Sequence, residues 1–176
     1  VTSNDREERQ PVLVGVGQWT QRDADPGEAL DPLATLEHVS KQAAESAGLP
    51  ARALADLDTL SIVSILGWRV GNAPDLLAER LGAGPKRKMQ TTLGGEMGCR
   101  LINELASEIA AGRSQMALAA GCNNVRTLRK ARETKTPLDW PSGGEGEPET
   151  FGAESAGTSE IENSYGLRLP PQIYPI

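Results

Sequence analysis

Apolar residues recur in two rhythms along this chain, and their alternation predicts an α/β domain. Val12-Leu13-Val14-Gly15-Val16 is a short, largely β-branched run between Pro11 and Gly17, which reads as a strand buried on both faces. Asp31 and Pro32 supply the cap and first-turn chemistry of a helix start. Leu33, Leu36, Val39 and Ala43 then repeat at helical spacing as far as Gly48, predicting a helix over about 32–47. Leu60 to Leu66 reads as a second buried strand, followed by a turn over Gly67 to Asn72 and a helix over about 74–81 closed by Gly82. Lys88 to Thr92 is a weaker strand, defined by what flanks it. Met97, Leu101, Leu105 and Ile109 form the stripe of a helix over about 96–111 that stops at Gly112, and Gln115 to Ala120 is a fourth strand. Strands alternating with helices imply a parallel sheet with right-handed crossovers and helices on both faces.

After Gly121 the rhythm changes. A basic helical stretch runs to about Glu133, and Pro137 to Gly157 is rich in Pro, Gly, Glu and Ser with little to bury, which reads as a flexible acidic excursion loop or linker. Arg168 to Ile176 is extended and Pro-rich and ends no obvious unit, so a chain cut from a longer one is expected. The polar residues Val1 to Gln10 read as a flexible N-terminus.

Composition narrows the classes. The 176 residues suit one domain, burying roughly 70% of the surface its unfolded form exposes. With 38% hydrophobic and only 3% aromatic residues, a thin core with long polar segments is expected. A net charge of -6 opposes the phosphate attraction behind nucleic-acid binding. Arg126, Arg129, Lys130 and Arg132 read as a solvated helix face, with an anion contact as the alternative. No apolar signal region and no window near ~18 apolar residues occurs, so a soluble, cytoplasmic protein without a membrane span is expected. Cys99 and Cys122 lack CxxC or Cys/His spacing, which supports neither a disulfide nor zinc and predicts two buried thiols and no metal site. His38 is the sole histidine, which rules out a two-histidine base pair within these residues and reads as a packing or surface residue.

Three places invite chemistry. Gly15-Val16-Gly17 follows a strand as in dinucleotide sites, but position 20 is Thr20 and the next helix begins far downstream, so a strand-ending turn is the better reading. Gly94-Gly95-Glu96 opens a buried helix, where free N–H groups and the positive helix end favour a thiolate or an oxyanion. Glu96 there complements the dipole first and is a candidate catalytic acid second. Trp68 lies in the loop after the second strand, at the carboxyl ends where parallel sheets bind ligands, with half-buried packing as its alternative role.

Together these residues resemble thiolases. The opener Pro11-Val12-Leu13-Val14-Gly15-Val16-Gly17, then Ile109-Ala110-Ala111-Gly112 and Leu118-Ala119-Ala120-Gly121, match the order and spacing of a thiolase amino-terminal half. Leu66-Gly67-Trp68-Arg69, Gly94-Gly95 and Pro171-Gln172-Ile173-Tyr174-Pro175 look like the acetyl-CoA acetyltransferase-like branch, related to the sterol-carrier-protein-linked thiolases. The resemblance implies a half-domain over 11–123 with a layered, parallel-rich sheet covered by helices. Part of a loop domain would follow over 124–176, with Glu160 to Gly166 as its Tyr-Gly segment, and a fifth strand would come after Ile176. It also implies dimerisation through the sheet edge at Lys88 to Thr92, and a missing second half carrying the catalytic histidine. Counting back from the Ile-Ala-Ala-Gly helix end as the family does places its acyl-accepting cysteine at Gly95, and Asn123 stands where many thiolases have Glu.

The implied function is an acetyl-CoA acetyltransferase-like protein that binds acyl-CoA thioesters as substrates, with no separate cofactor and no covalent nucleophile, inactive as these residues alone. Gly94, Gly95, Trp68 and Asn123 would line its acyl-CoA pocket. Its partners would be an acyl-CoA thioester and either a second copy in a homodimer or the missing carboxyl-terminal half. The alternatives are a non-catalytic thiolase-scaffold interaction module and half of a retro-aldol acyl-CoA lyase.

Overall fold

Asp31 starts the first helix as its chemistry predicts: its carboxylate accepts a hydrogen bond from the Ala34 N–H at 2.8 Å, with Pro32 in the first turn. This helix, α1, spans Pro32–Ser46 in a computed structural model that describes residues 9–22, 24–153, 158–167 and 172. A 3₁₀ helix over Ala51–Asp56 leads into β1, Thr59–Ile62. Asn72 accepts from the Asp75 N–H to cap α2, Ala73–Leu81, which ends on Gly82 at φ +65°, the left-handed position that glycine adopts without a Cβ penalty. β2 (Arg87–Thr91), α3 (Met97–Ala110), β3 (Ala117–Ala120), α4 (Val125–Thr134), β4 (Glu149–Phe151) and the short α5 (Glu160–Ser164) complete the order.

The sheet runs β3-β1-β2-β4 and every pairing is parallel. β1 is buried along its whole length and separates two apolar layers. On one face Leu60 and Ile62 meet Leu33, Leu36 and Ala44 of α1 and Leu77 and Ala78 of α2; on the other Met89 meets Leu101 and Leu105 of α3. This is the α/β architecture predicted, with helix bounds within a residue or two.

Four expectations need correction. The run Val12 to Val16 joins no strand ladder, and Val12, Leu13, Val14 and Val16 are 62–78% exposed. Its glycines have another role: a Cβ at Gly15 would lie 2.1 Å from the Ala43 carbonyl oxygen, and one at Gly17 would lie 2.0 Å from that of Val39. The segment therefore lies against the backbone of α1, where β-branched character helps little. The buried stripe of α1 is accordingly Leu33, Leu36, Ser40 and Ala44, with Val39 and Ala43 turned towards that segment. Cys99 is exposed rather than buried, on the outer face of α3. Finally, residues 149–151, within the stretch read as having little to bury, form β4. The Pro-rich motif over 171–175 lies, except for Gln172, outside the described residues, as does most of the N-terminal stretch.

β4 settles what lies beside β2. Thr92 donates its N–H to Phe151 at 2.9 Å, and Arg87 reaches Glu149 with two nitrogens at 2.5 and 2.7 Å. Arg87 also contacts Glu104 and Glu108 of α3, so one guanidinium ties β2, β4 and α3. Upstream, Gly143 and Glu145 are hydrogen-bonded to Asn72 and Asp75. Dimerisation through the outer edge of β2 would require β4 to leave.

The hydrogen bonds from Arg87 hold the Glu149 carboxyl below its ordinary range. A lowered carboxylate pKa contributes stability above the unfolded value, lost as pH falls through the folded one. Exchange protection of the Thr92 amide should therefore fall below about pH 4. Glu149→Gln should flatten that dependence and cost about 0.5–1 kcal/mol at neutral pH, since the pair is partly exposed. A second prediction uses the core: Leu77→Ala should cost about 2–5 kcal/mol in urea unfolding, whereas Ile102→Ala, at a half-exposed site on α3, should cost under about 0.5 kcal/mol.

Candidate functional site

Parallel strands bring their carboxyl ends to one rim, and hydroxyl and amide side chains collect there. Thr91 ends β2, and its Oγ1 accepts from the Ser64 N–H at 3.0 Å and donates to the Thr92 carbonyl. Thr92 Oγ1 donates to the Ala153 carbonyl at 3.1 Å. A cleft of about 470 Å³ opens among Ser64, Gln90, Thr91, Thr92, Leu93 and Thr150. The Gln90 side-chain oxygen is buried without a partner among the described residues. Ser64 also borders a larger cleft, of about 1240 Å³, beside β3.

Gly94 and Gly95 follow Leu93 directly and are exposed, as is Glu96. Among the described residues the N–H groups of Gly95 and Glu96 take no hydrogen-bond partner, while Met97 donates to Gly94 at 3.2 Å. These donors stand at the positive end of a 14-residue helix, the arrangement that favours an anionic oxygen. Glu96 makes no capping bond and lies 3.9 Å from Arg100. A Cβ at Gly95 would meet no atom within 4 Å.

The four expected pocket residues do not converge. Trp68 is 6% exposed, packed in the core, and its indole N–H is spent on the Pro141 carbonyl at 2.7 Å. It lines neither cleft. Asn123 borders the larger cleft, with its side-chain amide oxygen accepting from the Val125 N–H. Gly94 and Gly95 line neither cleft and follow Leu93, which borders the smaller one. Ser64, Thr91 and Thr92 were missed because strand periodicity registers them as burial; their hydroxyls at strand ends were the available signal.

The remaining titratable groups are placed by packing. His38 stacks edge-on against Trp19 at 4.7 Å. Arg126, Arg129 and Arg132 are exposed on α4, while Lys130 pairs with Asp25 at 3.1 Å. Cys122 is half-buried against the Pro32 carbonyl, and burial, aided by the charge of Asp31, pushes its thiol up to about 12. Among the described residues no cluster of three His, Cys, Asp or Glu side chains could hold a metal ion, and no helix is long and apolar enough to cross a membrane.

The fold is thiolase-like. Among solved structures the chain is similar to a monomeric SCP2-thiolase like protein type 1 from Mycobacterium smegmatis, at 30% identity with a TM-score of 0.55. The match covers 64% of this chain and 23% of that one, so these residues span under a quarter of the neighbour's length. No family model matches the chain, and no curated protein does.

The thiols make a direct test of the geometry. Iodoacetamide at pH 8 should label Cys99 in the folded chain and leave Cys122 unlabelled until denaturant is added, as read by peptide mass spectrometry. The raised Cys122 pKa also fixes a sign. Its protonated form is favoured by folding, so this contribution is intact below the unfolded thiol value and is lost as pH rises from about 9 towards 12.

Proposed function

We propose that this chain is the part of a thiolase-scaffold protein that holds an acyl-CoA thioester, its carbonyl oxygen facing the head of α3. The observation that carries this reading is the pair of unpartnered N–H groups at Gly95 and Glu96, two and three residues after Leu93, which borders a cleft rimmed by strand-end hydroxyls. Such donors supply about 3–4 kcal/mol each to a developing oxyanion when well placed. With glycine at position 95, the resemblance points to thioester or enolate chemistry without a covalent acyl-enzyme, of the acetyl-CoA acetyltransferase-like kind. The neighbour's name, with its thiolase term, supports the same ligand class. A non-catalytic scaffold is the second reading, favoured by the burial of Trp68 and the spending of its N–H.

Acyl-CoA affinity separates the two. Calorimetric titration with acetyl-CoA and a longer acyl-CoA should show saturable heat for the ester reading and none for the scaffold reading. Gly95→Cys sharpens the test, because a Cβ at this position meets no atom within 4 Å. Thiolate attack on acetyl-CoA forms an enzyme thioester and releases CoA thiolate. Residue 95 should gain its acetyl group at least about tenfold faster than Cys99, the exposed thiol one turn further on. Equal labelling of the two would remove any special role for the helix head.

A further inference from the structure

The end of β4 closes on the first turn of α3. Thr92 donates its N–H to the Phe151 carbonyl at 2.9 Å and its hydroxyl to the Ala153 carbonyl at 3.1 Å. The same hydroxyl oxygen lies 3.8 Å from Met97 Sδ, and Met97 is buried. The Arg100 guanidinium carbon stands 5.8 Å from the centre of the Phe151 ring, within reach of a cation–π contact. Between these contacts Gly152 has φ +97°, and a Cβ on it would lie 2.8 Å from Thr92 Oγ1 and 2.9 Å from Met97 Sδ.

The stretch gripped in this way, Leu93 to Glu96, has little of its own to hold it. Among the described residues its hydrogen-bonded and ionic partners are Met97 and Arg100 alone, in the first turn of α3. Thr92 on one side of the stretch, and Met97 and Arg100 on the other, are the residues that the end of β4 meets. The body of α3 is held separately, by Leu101 and Leu105 against Met89 and by Glu104 and Glu108 against Arg87. The two glycines therefore differ: a Cβ at position 95 meets nothing, whereas one at position 152 overlaps two side chains.

We infer that Gly152 is a positioning residue for the candidate site: by letting the end of β4 seat on Thr92 and Met97, it fixes the first turn of α3 and the direction of the Gly95 and Glu96 N–H groups. The inference rests on the reading of the α3 head as the place where a ligand oxygen is held. A Cβ at position 152 must either lift the end of β4 or push Met97 into a packed core. The backbone there already disfavours any residue but glycine. Either displacement reaches Leu93 to Glu96 through its two ends and leaves the helix body in place. β4 and the α3 head are then one linked unit, so a ligand oxygen held at the head in turn steadies β4.

A thiol at position 95 reports on the donors without any ligand, because free N–H groups and the positive helix end favour its thiolate. The background is Gly95→Cys with Cys99→Ser, and the readout is the iodoacetamide rate at residue 95 as a function of pH. Adding Gly152→Ala should slow that labelling at least about threefold at pH 7 and move the midpoint of the pH profile upwards. Glu149→Gln loosens β4 at Arg87, away from the first turn of α3, and should leave the midpoint where it is. The Cα chemical shifts of Leu101 and Leu105 should be unchanged in both variants. Should Gly152→Ala not fold, Phe151→Ala, which removes the ring beside Arg100, takes its place with the same direction expected. An unchanged midpoint in the folded variant, an equal rise with Glu149→Gln, or movement of Leu101 and Leu105 alongside it overturns the inference. No heat with acetyl-CoA beside a raised midpoint would remove the ligand reading while confirming that Gly152 orients the donors.

Discussion

Peptide groups of a parallel strand withdrawn from water must be paired on both sides, and the fold answers that demand outwards from β1. Its four residues bond to β2 on one side and β3 on the other, which leaves two outer strands with the same requirement. Asp58, just before β1, adds side-chain acceptance of the Gln115 and Met116 N–H groups. Those bonds hold its carboxyl below the ordinary range and fix where β3 begins. The sheet's register is thus set by polar groups at its rim, while Leu60 and Ile62 on one side and Met89 on the other supply burial.

The outer edge of β2 is finished by an unpromising sequence. Glu149-Thr150-Phe151 has one apolar residue and sits between Pro148 and Gly152, so no periodicity marks it as a strand. It becomes one because Asn72 and Asp75, at the start of α2, hold Gly143 and Glu145 in place and Arg87 captures Glu149. A short, charged strand bounded by proline and glycine is also a poor template for another chain. The same contacts explain why Trp68 is buried: its indole N–H is part of the anchorage at Pro141.

The elements legible in the sequence were those with local chemistry. Asp31 before Pro32, Asn72 before Pro74 and glycine at position 82 mark helix ends through bonds made within four residues, so no tertiary knowledge was needed. The elements misread depended on a partner far along the chain. Val12 to Val16 has strand composition but no ladder to join, and β4 has a ladder but no strand composition. At the candidate site, the head of α3 was legible from Gly94-Gly95, whereas the hydroxyl rim was not, since Ser64, Thr91 and Thr92 meet only through the parallel register of β1 and β2.

The glycines separate structural from functional need. Gly15 and Gly17 are required, because a Cβ at either would overlap the α1 backbone. Gly95 has no such reason: it lies outside the positive-φ glycines, and nothing approaches the place its side chain would occupy. A helix start gains nothing from glycine there, since the residue loses more backbone entropy on folding than any other. What glycine does leave is an uncovered pair of N–H donors at the head of α3. That is the property a bound carbonyl would use, and the property a side chain at position 95 would screen.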